Sequence, residues 1–285
     1  MEATNLIKVI LPISLFIIML GMGLSLKPLD FKIVMIKPKA VLFGVLAQMV
    51  LLPVIAYLIV LSFSMTGAIA VGFMILALCP GGTTSNLYTY LANGDIALSV
   101  TLTSIVSLIA PFTVPVLIVM FMGVLMGEEA YIELPVLKTI AQLIVITIIP
   151  ICIGMFVNFK KPSLSKKAEK PVKIFSVVFL FLVVAMVIKN NWEAMGGYFA
   201  QIGLAAFVLN ITCMLLGYLL ARFAYLNVAQ SKAISIEVGF QNGTLALLIA
   251  LTLLENSAMA IAATCYSIIM FVTGALFAGF WSKRT

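Results

Sequence analysis

The chain has 285 residues, of which 64% are hydrophobic and only 9% are charged, with a net charge of +7. Soluble domains carry about 25% charged residues, so this composition excludes soluble, disordered and disulfide-rich classes and indicates a membrane protein with several spans. Because the chain contains no histidine, histidine-ligated metal sites, Ser-His catalysis and histidine proton relays are also excluded.

Nine apolar segments, each long enough to cross a bilayer, follow one another without a long polar stretch that would form a soluble domain. They cover residues 6–26, 38–62, 67–92, 95–124, 134–158, 172–190, 196–222, 229–254 and 257–281. The longest polar stretch, residues 158–173, contains proline, serine and lysine and is predicted to be a solvated connection. The predicted fold class is an all-α membrane protein with nine transmembrane helices.

The basic residues fall almost entirely on one side of this nine-span arrangement. Fourteen lie in or beside the connections between segments 1 and 2, 5 and 6, and 7 and 8 or at the C-terminus, and three lie on the other side. The fourteen are Lys27, Lys32, Lys37, Lys39, Lys160, Lys161, Lys166, Lys167, Lys170, Lys173, Arg222, Lys232, Lys283 and Arg284, and the three are Lys8, Lys138 and Lys189. This asymmetry predicts a multi-pass protein of the cell (inner) membrane with its N-terminus outside and its C-terminus in the cytoplasm. Because the cations lie in short connections rather than in a basic stripe, we expect contacts with lipid headgroups and no nucleic-acid partner.

The third and eighth segments have helix-breaking, polar middles. The third contains CPGGTTSNLYTYLANGD at 79–95, where Pro80 lacks a backbone N–H and two glycines follow. The eighth contains ISIEVGFQNGTLALL at 234–248, where Gly239 and Gly243 bracket the break. Unpaired backbone groups in hydrocarbon cost several kcal/mol each, so such breaks persist only where they are buried in protein or line a cavity.

The order of the two interrupted segments predicts an internal repeat. Each is the third of four consecutive segments, so segments 1–4 and 6–9 form two units separated by the fifth. Since the units are an odd number of spans apart, the second lies inverted in the membrane, and paired broken helices in inverted repeats mark a transport site. A kink packed against neighbouring helices, with hydroxyl groups satisfying the backbone, is the alternative interpretation of each break.

Glu237 is the acidic residue that lies deep within a segment, and no lysine occupies a segment centre. A lone carboxylate there is costly, so it ligates a cation, carries a proton or is hydrogen-bonded to the broken backbone, and the oxygens nearby favour the cation. Ser99 and Thr103 share one helix face, and Gln48 and Asn210 are isolated amides at equivalent places in the two units. A set of hydroxyl, amide and carbonyl oxygens with one carboxylate suits Na⁺, and helix N-termini at the breaks suit an anionic substrate.

Three stretches together resemble the bile acid:sodium symporter family. They are PGGTTSN at 80–86 with TYLANGDIALSVTLTSI at 89–105, IEVGFQNG at 236–243, and GMGLSLKP at 21–28. The resemblance runs from about residue 15 to the end of the chain and implies a transporter rather than an enzyme. It implies two crossing discontinuous helices in a core domain, beside a panel domain; the core covers residues 38–124 and 196–281, and the panel residues 6–26, 134–158 and 172–190. Many bacterial members have ten spans, and this chain matches the nine-span form.

The family's two sodium sites carry over where the residues match. The resemblance implies that the first site uses Ser85, Asn86, Ser99, Thr103 and Glu237, and that the second uses Gln48, Glu237, Val238, Phe240 and Gln241. Substrate is expected between panel and core, near Thr83 and Asn242. Met270 and Phe271 stand where many bacterial members have a His-Asn pair, so one polar contact to substrate is missing.

The predicted function is therefore a sodium-coupled symporter of small organic anions that works by alternating access. Family members are associated with bile acids, pantoate, pantothenate and other organic anions. A proton-coupled carrier that uses Glu237 is one alternative, and a membrane sensor that binds ligand without transporting it is another. A membrane enzyme is disfavoured because the sequence has neither an HExxH nor a GxSxG motif.

Overall fold

The structure is a computed structural model that describes the backbone of residues 2–127 and 134–282, and their side chains except at 2–8, 28–29, 193–199 and 201. Within these residues every regular element is a helix. Two basic residues of the predicted charge asymmetry, Lys283 and Arg284, lie outside the described residues.

Fourteen α-helices follow one another in the described part of the chain. They are α1 (Glu2–Ser25), α2 (Ile33–Ile36), α3 (Pro38–Leu46), α4 (Leu52–Ser62), α5 (Gly67–Leu78), α6 (Thr83–Leu91), α7 (Ile96–Leu125), α8 (Val136–Leu143), α9 (Ile149–Lys160), α10 (Pro162–Asn190), α11 (Trp192–Phe223), α12 (Val228–Gly239), α13 (Gly243–Leu248) and α14 (Ser257–Ser282). A 3₁₀ turn at Pro28–Lys32 leads into α2. Turns of π-helix at Ala47–Leu51 and Ile144–Ile148 join α3 to α4 and α8 to α9, and a third at Ile249–Leu253 extends α13.

Six described helices are long and apolar enough to cross a membrane. They are Pro38–Ser62, Ile96–Leu125, Val136–Lys160, Pro162–Asn190, Ile202–Phe223 and Ser257–Ser282. The bent pair Val9–Ser25 and Asp30–Ile36, with 73° between its parts, makes a seventh if it is counted as one span. The third and eighth predicted segments are instead pairs of shorter helices, α5 with α6 and α12 with α13. All nine predicted segments are thus largely helical, and their count as nine crossings stays a prediction.

The stretch at residues 158–173, predicted to be a solvated connection, is helical except at Lys161, and most of its side chains are exposed. α9 continues to Lys160, and α10 begins at Pro162, whose fixed φ suits the first turn of a helix. The buried Ser165 hydroxyl donates to the Leu24 carbonyl oxygen at 2.7 Å and so anchors the first turns of α10 on the end of α1. Tertiary packing therefore overrides the turn-like composition, although the lysines of these turns remain exposed.

The two broken helices contact each other at their breaks. Residues 79–82 separate α5 from α6, residues 240–242 separate α12 from α13, and the two stretches pair antiparallel at Gly81 and Gln241. Two backbone hydrogen bonds flank this pair in opposite directions: Asn242 N–H to Pro80 O (2.8 Å) and Gly82 N–H to Phe240 O (3.3 Å). Each break thereby satisfies backbone groups that the other leaves without helical partners.

Other backbone features recur in the two halves of the chain. Ser64 (φ 50°) precedes α5 and Tyr225 (φ 56°) precedes α12, and both adopt the left-handed conformation. Asn93 (φ 54°) follows α6, and Glu255 (φ 51°) follows the π-helical extension of α13 in the same conformation. Matched turns of this kind before and after each broken helix are what an internal repeat predicts.

The helices pack in two groups that meet at the broken helices. α1 packs on α9 and α10, whereas α14 packs on α5 and α11, and α11 packs on α12. Close backbone contacts hold both groups together, because an added Cβ would lie 2.2 Å from Ile151 O at Gly23 and 2.2 Å from Met259 O at Gly72. The assignment of these groups to panel and core stays a prediction.

Lys232 differs from the other predicted juxtamembrane cations. Its side chain is only 1% exposed, and its Nζ lies 4.7 Å from the centroid of the Trp281 ring on α14. A cation in this position is stabilised by the face of the indole ring. The expectation that this lysine contacts lipid headgroups is therefore wrong, because Trp281 covers it.

Candidate functional site

The carboxylate of Glu237 is the centre of a buried polar network at the crossing of the breaks. The residue lies near the end of α12 and is 1% exposed. The Ser85 and Ser99 hydroxyls donate to its Oε2 at 2.8 and 2.9 Å, and the Thr103 hydroxyl donates to its Oε1. Among the described ion pairs none includes Glu237. Its charge is thus met by hydroxyl dipoles from α6 and α7 rather than by a cationic side chain.

In this network the oxygen atoms that can accept a hydrogen bond outnumber the hydroxyl protons available to donate one. The Ser99 hydroxyl lies 2.9 Å from Glu237 Oε2 and 2.9 Å from Asn86 Oδ1, but it has one proton for these two acceptors. The Thr103 hydroxyl likewise lies within reach of the Ser99 carbonyl at 3.0 Å as well as of the carboxylate. All five residues of the predicted first sodium site therefore lie together, and their uncommitted lone pairs are what a hard cation requires.

The predicted second sodium site lies beside the first and is centred on two amides. Gln48, in the π-helical turn between α3 and α4, donates from Nε2 to Gln241 Oε1 at 2.8 Å. Gln241 in turn donates from Nε2 to the Val238 carbonyl at 2.7 Å. The Phe240 carbonyl accepts the Gly82 N–H, and Gln48 Oε1 is buried without a hydrogen-bond partner. Gln48 Oε1 and the Val238 carbonyl are the oxygen atoms here that could hold a cation.

Gly81 allows the first break to pass directly against the carboxylate. A Cβ at Gly81 would lie 2.3 Å from Glu237 Oε1 and 3.0 Å from its Cδ. At the adjacent Gly82 a Cβ would meet nothing closer than the Thr84 hydroxyl at 3.4 Å. The carboxylate position therefore depends on the missing side chain at Gly81 and not on that at Gly82.

The carbonyl that ends α12 is held by two side chains from other helices. Gly239 O accepts hydrogen bonds from Asn210 Nδ2 at 2.8 Å and from the Tyr266 hydroxyl at 3.0 Å. The corresponding carbonyl at the end of α5, Cys79 O, lies 3.4 Å from Gln48 Nε2. The predicted equivalence of the amides Gln48 and Asn210 thus has a structural counterpart, since each contacts the last turn before a break.

Sequence reasoning missed two members of this region. Thr89 donates from Oγ1 to Ser99 Oγ at 3.2 Å and so joins the carboxylate network. It stands four residues after Ser85 on α6, so helical spacing would have placed it on the same face. Tyr266 lies within an apolar stretch of α14 and carries no sequence feature that points to the break.

A cavity of about 410 Å³ adjoins the network between α1, α6, α7 and α10. α6 contributes Thr83, Asn86, Leu87 and Tyr90 to its wall. Asn86 belongs to both the cavity wall and the carboxylate network, because its Oδ1 lies 2.9 Å from the Ser99 hydroxyl. The cavity therefore borders the predicted first sodium site at Asn86.

The predicted substrate residues Thr83 and Asn242 meet at a smaller cavity of about 20 Å³ at the breaks. Asn242 uses its Oδ1 to accept the Leu245 N–H at 3.0 Å at the start of α13. Met270 and Phe271, which replace the expected polar pair, line the same cavity. The wall at this point is thus apolar, as the sequence predicted.

Aromatic rings pack behind this apolar wall. The ring centroids of Tyr88 and Phe240 lie 4.5 Å apart, and those of Phe181 and Phe271 lie 5.4 Å apart. The Tyr88 hydroxyl donates to the Phe271 carbonyl at 3.2 Å. These contacts connect α6, α10, the second break and α14 in one aromatic cluster.

The sequence of the chain has counterparts among known proteins. A model of the sodium bile acid symporter family matches residues 12–197. The chain belongs to this family. The predicted family membership is confirmed, and the family consists of membrane transporters rather than enzymes.

Relatives in the sodium bile acid symporter family include proteins from bacteria, plants and mammals. The uncharacterized sodium-dependent transporter YocS of Bacillus subtilis (strain 168) is 33% identical over 276 residues, which cover 95% of this chain and 83% of YocS. The probable sodium/metabolite cotransporter BASS1, chloroplastic, of Arabidopsis thaliana is 30% identical over 271 residues, with 95% and 66% covered. The sodium-dependent organic anion transporter of Bos taurus is 30% identical over 210 residues, with 72% and 54% covered.

Proposed function

We propose that this chain is a sodium-coupled symporter of small organic anions that works by alternating access. The observation that carries the proposal is the buried Glu237 carboxylate, which is surrounded by hydroxyl and amide oxygens and has no ion-pair partner among the described residues. The names of the related sodium-dependent transporters support sodium as the coupling ion.

Two sodium ions would bind at the crossing of the broken helices. The first site comprises Ser85, Asn86, Ser99, Thr103 and Glu237, and the second comprises Gln48, Glu237, Val238, Phe240 and Gln241. Both sites use oxygen atoms from more than one helix, so bound ions favour the arrangement in which those helices are close together. A ligand shifts a conformational equilibrium by its difference in affinity between the states, and this difference is the proposed source of coupling.

The organic anion would bind in the 410 Å³ cavity and reach the breaks at Thr83 and Asn242. The N-terminal end of α6 supplies backbone N–H groups and a positive dipole end toward this region. Asn86 would couple sodium binding to anion binding, because its amide is both a ligand of the first sodium site and part of the cavity wall. A bound ion that fixes this amide would also fix the surface that the anion contacts. The name of the bovine sodium-dependent organic anion transporter supports the substrate class.

Transport would proceed by movement of the panel group of helices against the core group. The cavity is bounded by the end of α1, the start of α7 and the start of α10, which adjoin the lysine-rich connections. With nine spans in inverted repeats and the predicted inner-membrane orientation, this arrangement corresponds to a cavity open to the cytoplasm. Reversal of the movement would open the opposite side.

Uptake into proteoliposomes tests the proposal. Pantoate and cholate serve as probes, under an inward Na⁺ gradient or with choline in place of Na⁺. Glu237→Gln keeps the side-chain shape but removes the charge, and we expect it to abolish the sodium-dependent uptake. Ser231→Ala is the matched control, because this position is buried on the same helix and its hydroxyl donates to the Asn227 carbonyl at 2.9 Å, outside the carboxylate network.

The same experiment separates the two alternatives. Equal uptake with choline would refute sodium coupling, and a strong dependence on pH at fixed Na⁺ would indicate a proton-coupled carrier that uses Glu237. Binding of a probe without flux would identify a membrane sensor.

A further inference from the structure

The large cavity has a charged pair on its wall. Among its described lining residues, Glu169 and Lys173 are the charged ones, and both lie in the N-terminal half of α10. Lys173 Nζ lies 2.5 Å from Glu169 Oε1, and their side chains are 50% and 37% exposed. The neighbouring Lys166, Lys167 and Lys170 of the same turns do not line the cavity. Helix α10 therefore presents one of its cations to the space where an organic anion would bind.

The partner that Lys173 has in the structure is easily exchanged. A Glu-Lys pair four residues apart on an exposed helix face contributes little free energy, because water screens it and both side chains must be held in place. A carboxylate ligand in the cavity would offer Lys173 the same acceptor atoms as Glu169 does. Exchange of one carboxylate for another keeps the lysine paired throughout, and the released Glu169 side chain, which is 37% exposed, can be hydrated instead.

The remainder of the cavity wall suits an anion with an apolar body. Thr83, Asn86 and Tyr90 of α6 supply hydroxyl and amide groups, while Met22 and Leu87 supply apolar surface. A cavity of this volume lies within the range of small-molecule sites, which combine apolar lining with a few polar groups that set the orientation. Lys173 is on a different helix from the polar groups of α6, so a ligand in the cavity can contact both.

We propose that Lys173 recognises the carboxylate of the transported anion and that Glu169 is an internal competitor for the same ammonium group. The inference rests on the proposed transport function for the identity of the ligand. It adds a specificity-determining residue on α10, separate from the broken helices. Glu169 keeps the lysine paired without ligand and sets the affinity at which an organic acid displaces it.

Ligand binding by the solubilised full chain tests this assignment. The probes are pantoate and its uncharged lactone, pantolactone, each titrated in NaCl while thermal stability is followed, because a ligand that binds the folded state raises its melting temperature. We expect Lys173→Gln to weaken pantoate binding by about tenfold, the loss of one charge-assisted contact. We expect Lys170→Gln, a cation one turn away that does not line the cavity, to bind pantoate as the wild type does.

Glu169 supplies the second part of the test. Glu169→Gln is expected to tighten pantoate binding severalfold, because it frees Lys173. The double variant of Glu169 and Lys173 is expected to bind no more tightly than Lys173→Gln alone, since Glu169 acts through the lysine. Pantolactone, which has no carboxylate, should show no difference among these variants.

Several outcomes would overturn the inference. They are equal pantoate affinity in Lys173→Gln and Lys170→Gln, tightening by Glu169→Gln that persists without Lys173, and no stabilisation of the wild type by pantoate. Sodium-driven uptake measured in parallel keeps the two proposals apart. Uptake with an unchanged KM in Lys173→Gln would refute this inference alone, whereas lysine-dependent binding without sodium-driven uptake would refute the transport function alone.

Discussion

Substitution of Gly81 by alanine is expected to remove sodium dependence without a change in any proposed ligand. The new Cβ would lie 2.3 Å from Glu237 Oε1, whereas ordinary contacts lie at 3.4–4 Å. The carboxylate would therefore have to move by about 1 Å, since the clashing neighbour is a buried group held from three sides. Gly81 and Gly82 both lack a positive φ, so alanine is compatible with the backbone at either position.

A displacement of this size disrupts the hydroxyl contacts of the carboxylate. The bonds from Ser85 and Ser99 are 2.8 and 2.9 Å long, and a shift of about 1 Å takes them beyond hydrogen-bonding distance. Hydrogen bonds to charged groups contribute about 1.5–3 kcal/mol each, so the loss of even one costs about 1.5–3 kcal/mol. Because this cost falls on the ion site, the Na⁺ concentration for half-maximal uptake is expected to rise by at least about 10- to 150-fold.

The assay is uptake of pantoate into proteoliposomes as a function of external Na⁺. Gly82→Ala is the matched control, because its Cβ would make contacts at ordinary distances: the Thr84 hydroxyl at 3.4 Å, Gln241 O at 3.5 Å and Asn242 Cα at 3.9 Å. We expect this control to shift the half-maximal Na⁺ concentration by less than about threefold. A Gly81→Ala protein with the sodium dependence of the wild type, or a Gly82→Ala protein with equal impairment, would refute the reasoning.

Two further substitutions separate ion binding from stability. Gln48→Ala is expected to raise the half-maximal Na⁺ concentration by about tenfold while the protein stays folded. The reason is that the buried Gln48 Oε1 has no hydrogen-bond partner among the described residues. A variant that elutes as an aggregate would instead indicate that Gln48 has a packing role. Asp95→Ala removes the cap on Leu98 N–H and the ion pair with Lys37, which should cost about 1–2 kcal/mol and lower the melting temperature by a few degrees with unchanged sodium dependence. An unchanged melting temperature would contradict this reading of the cap.

The features that sequence could predict are those fixed by local chemistry. Pro80 and its two following glycines interrupt a helix wherever they stand, and the break is found where they predict it. Glu237 is conspicuous because so few acids occur in the apolar segments, and Ser99 with Thr103 follows helical spacing. In the structure these side chains contact one another, although their role as sodium ligands stays a prediction.

The features that sequence could not predict depend on how helices are placed relative to one another. The closeness of Gly81 to Glu237 joins positions far apart in the chain, and no periodicity reports it. The helical start of α10 requires Ser165 to be anchored on α1, a contact that composition does not reveal. Nor does the spacing of the lysines in 158–173 indicate that Lys173 turns to the cavity and Lys170 away from it.

The pairing of the two breaks through main-chain atoms has a consequence for how such a transporter can diverge. The two hydrogen bonds that pair the breaks join backbone N–H and C=O groups of residues 80, 82, 240 and 242. Side chains at these positions can therefore change without loss of the pairing. On α6, Ser85 and Thr89 face the carboxylate, while Thr83 and Leu87 face the cavities. Substitutions at the cavity-facing positions can therefore change the transported substrate over evolution while the ion site stays the same. Among the described residues Asn86 borders both the cavity and the carboxylate network, so a substitution there would alter substrate binding and ion binding together.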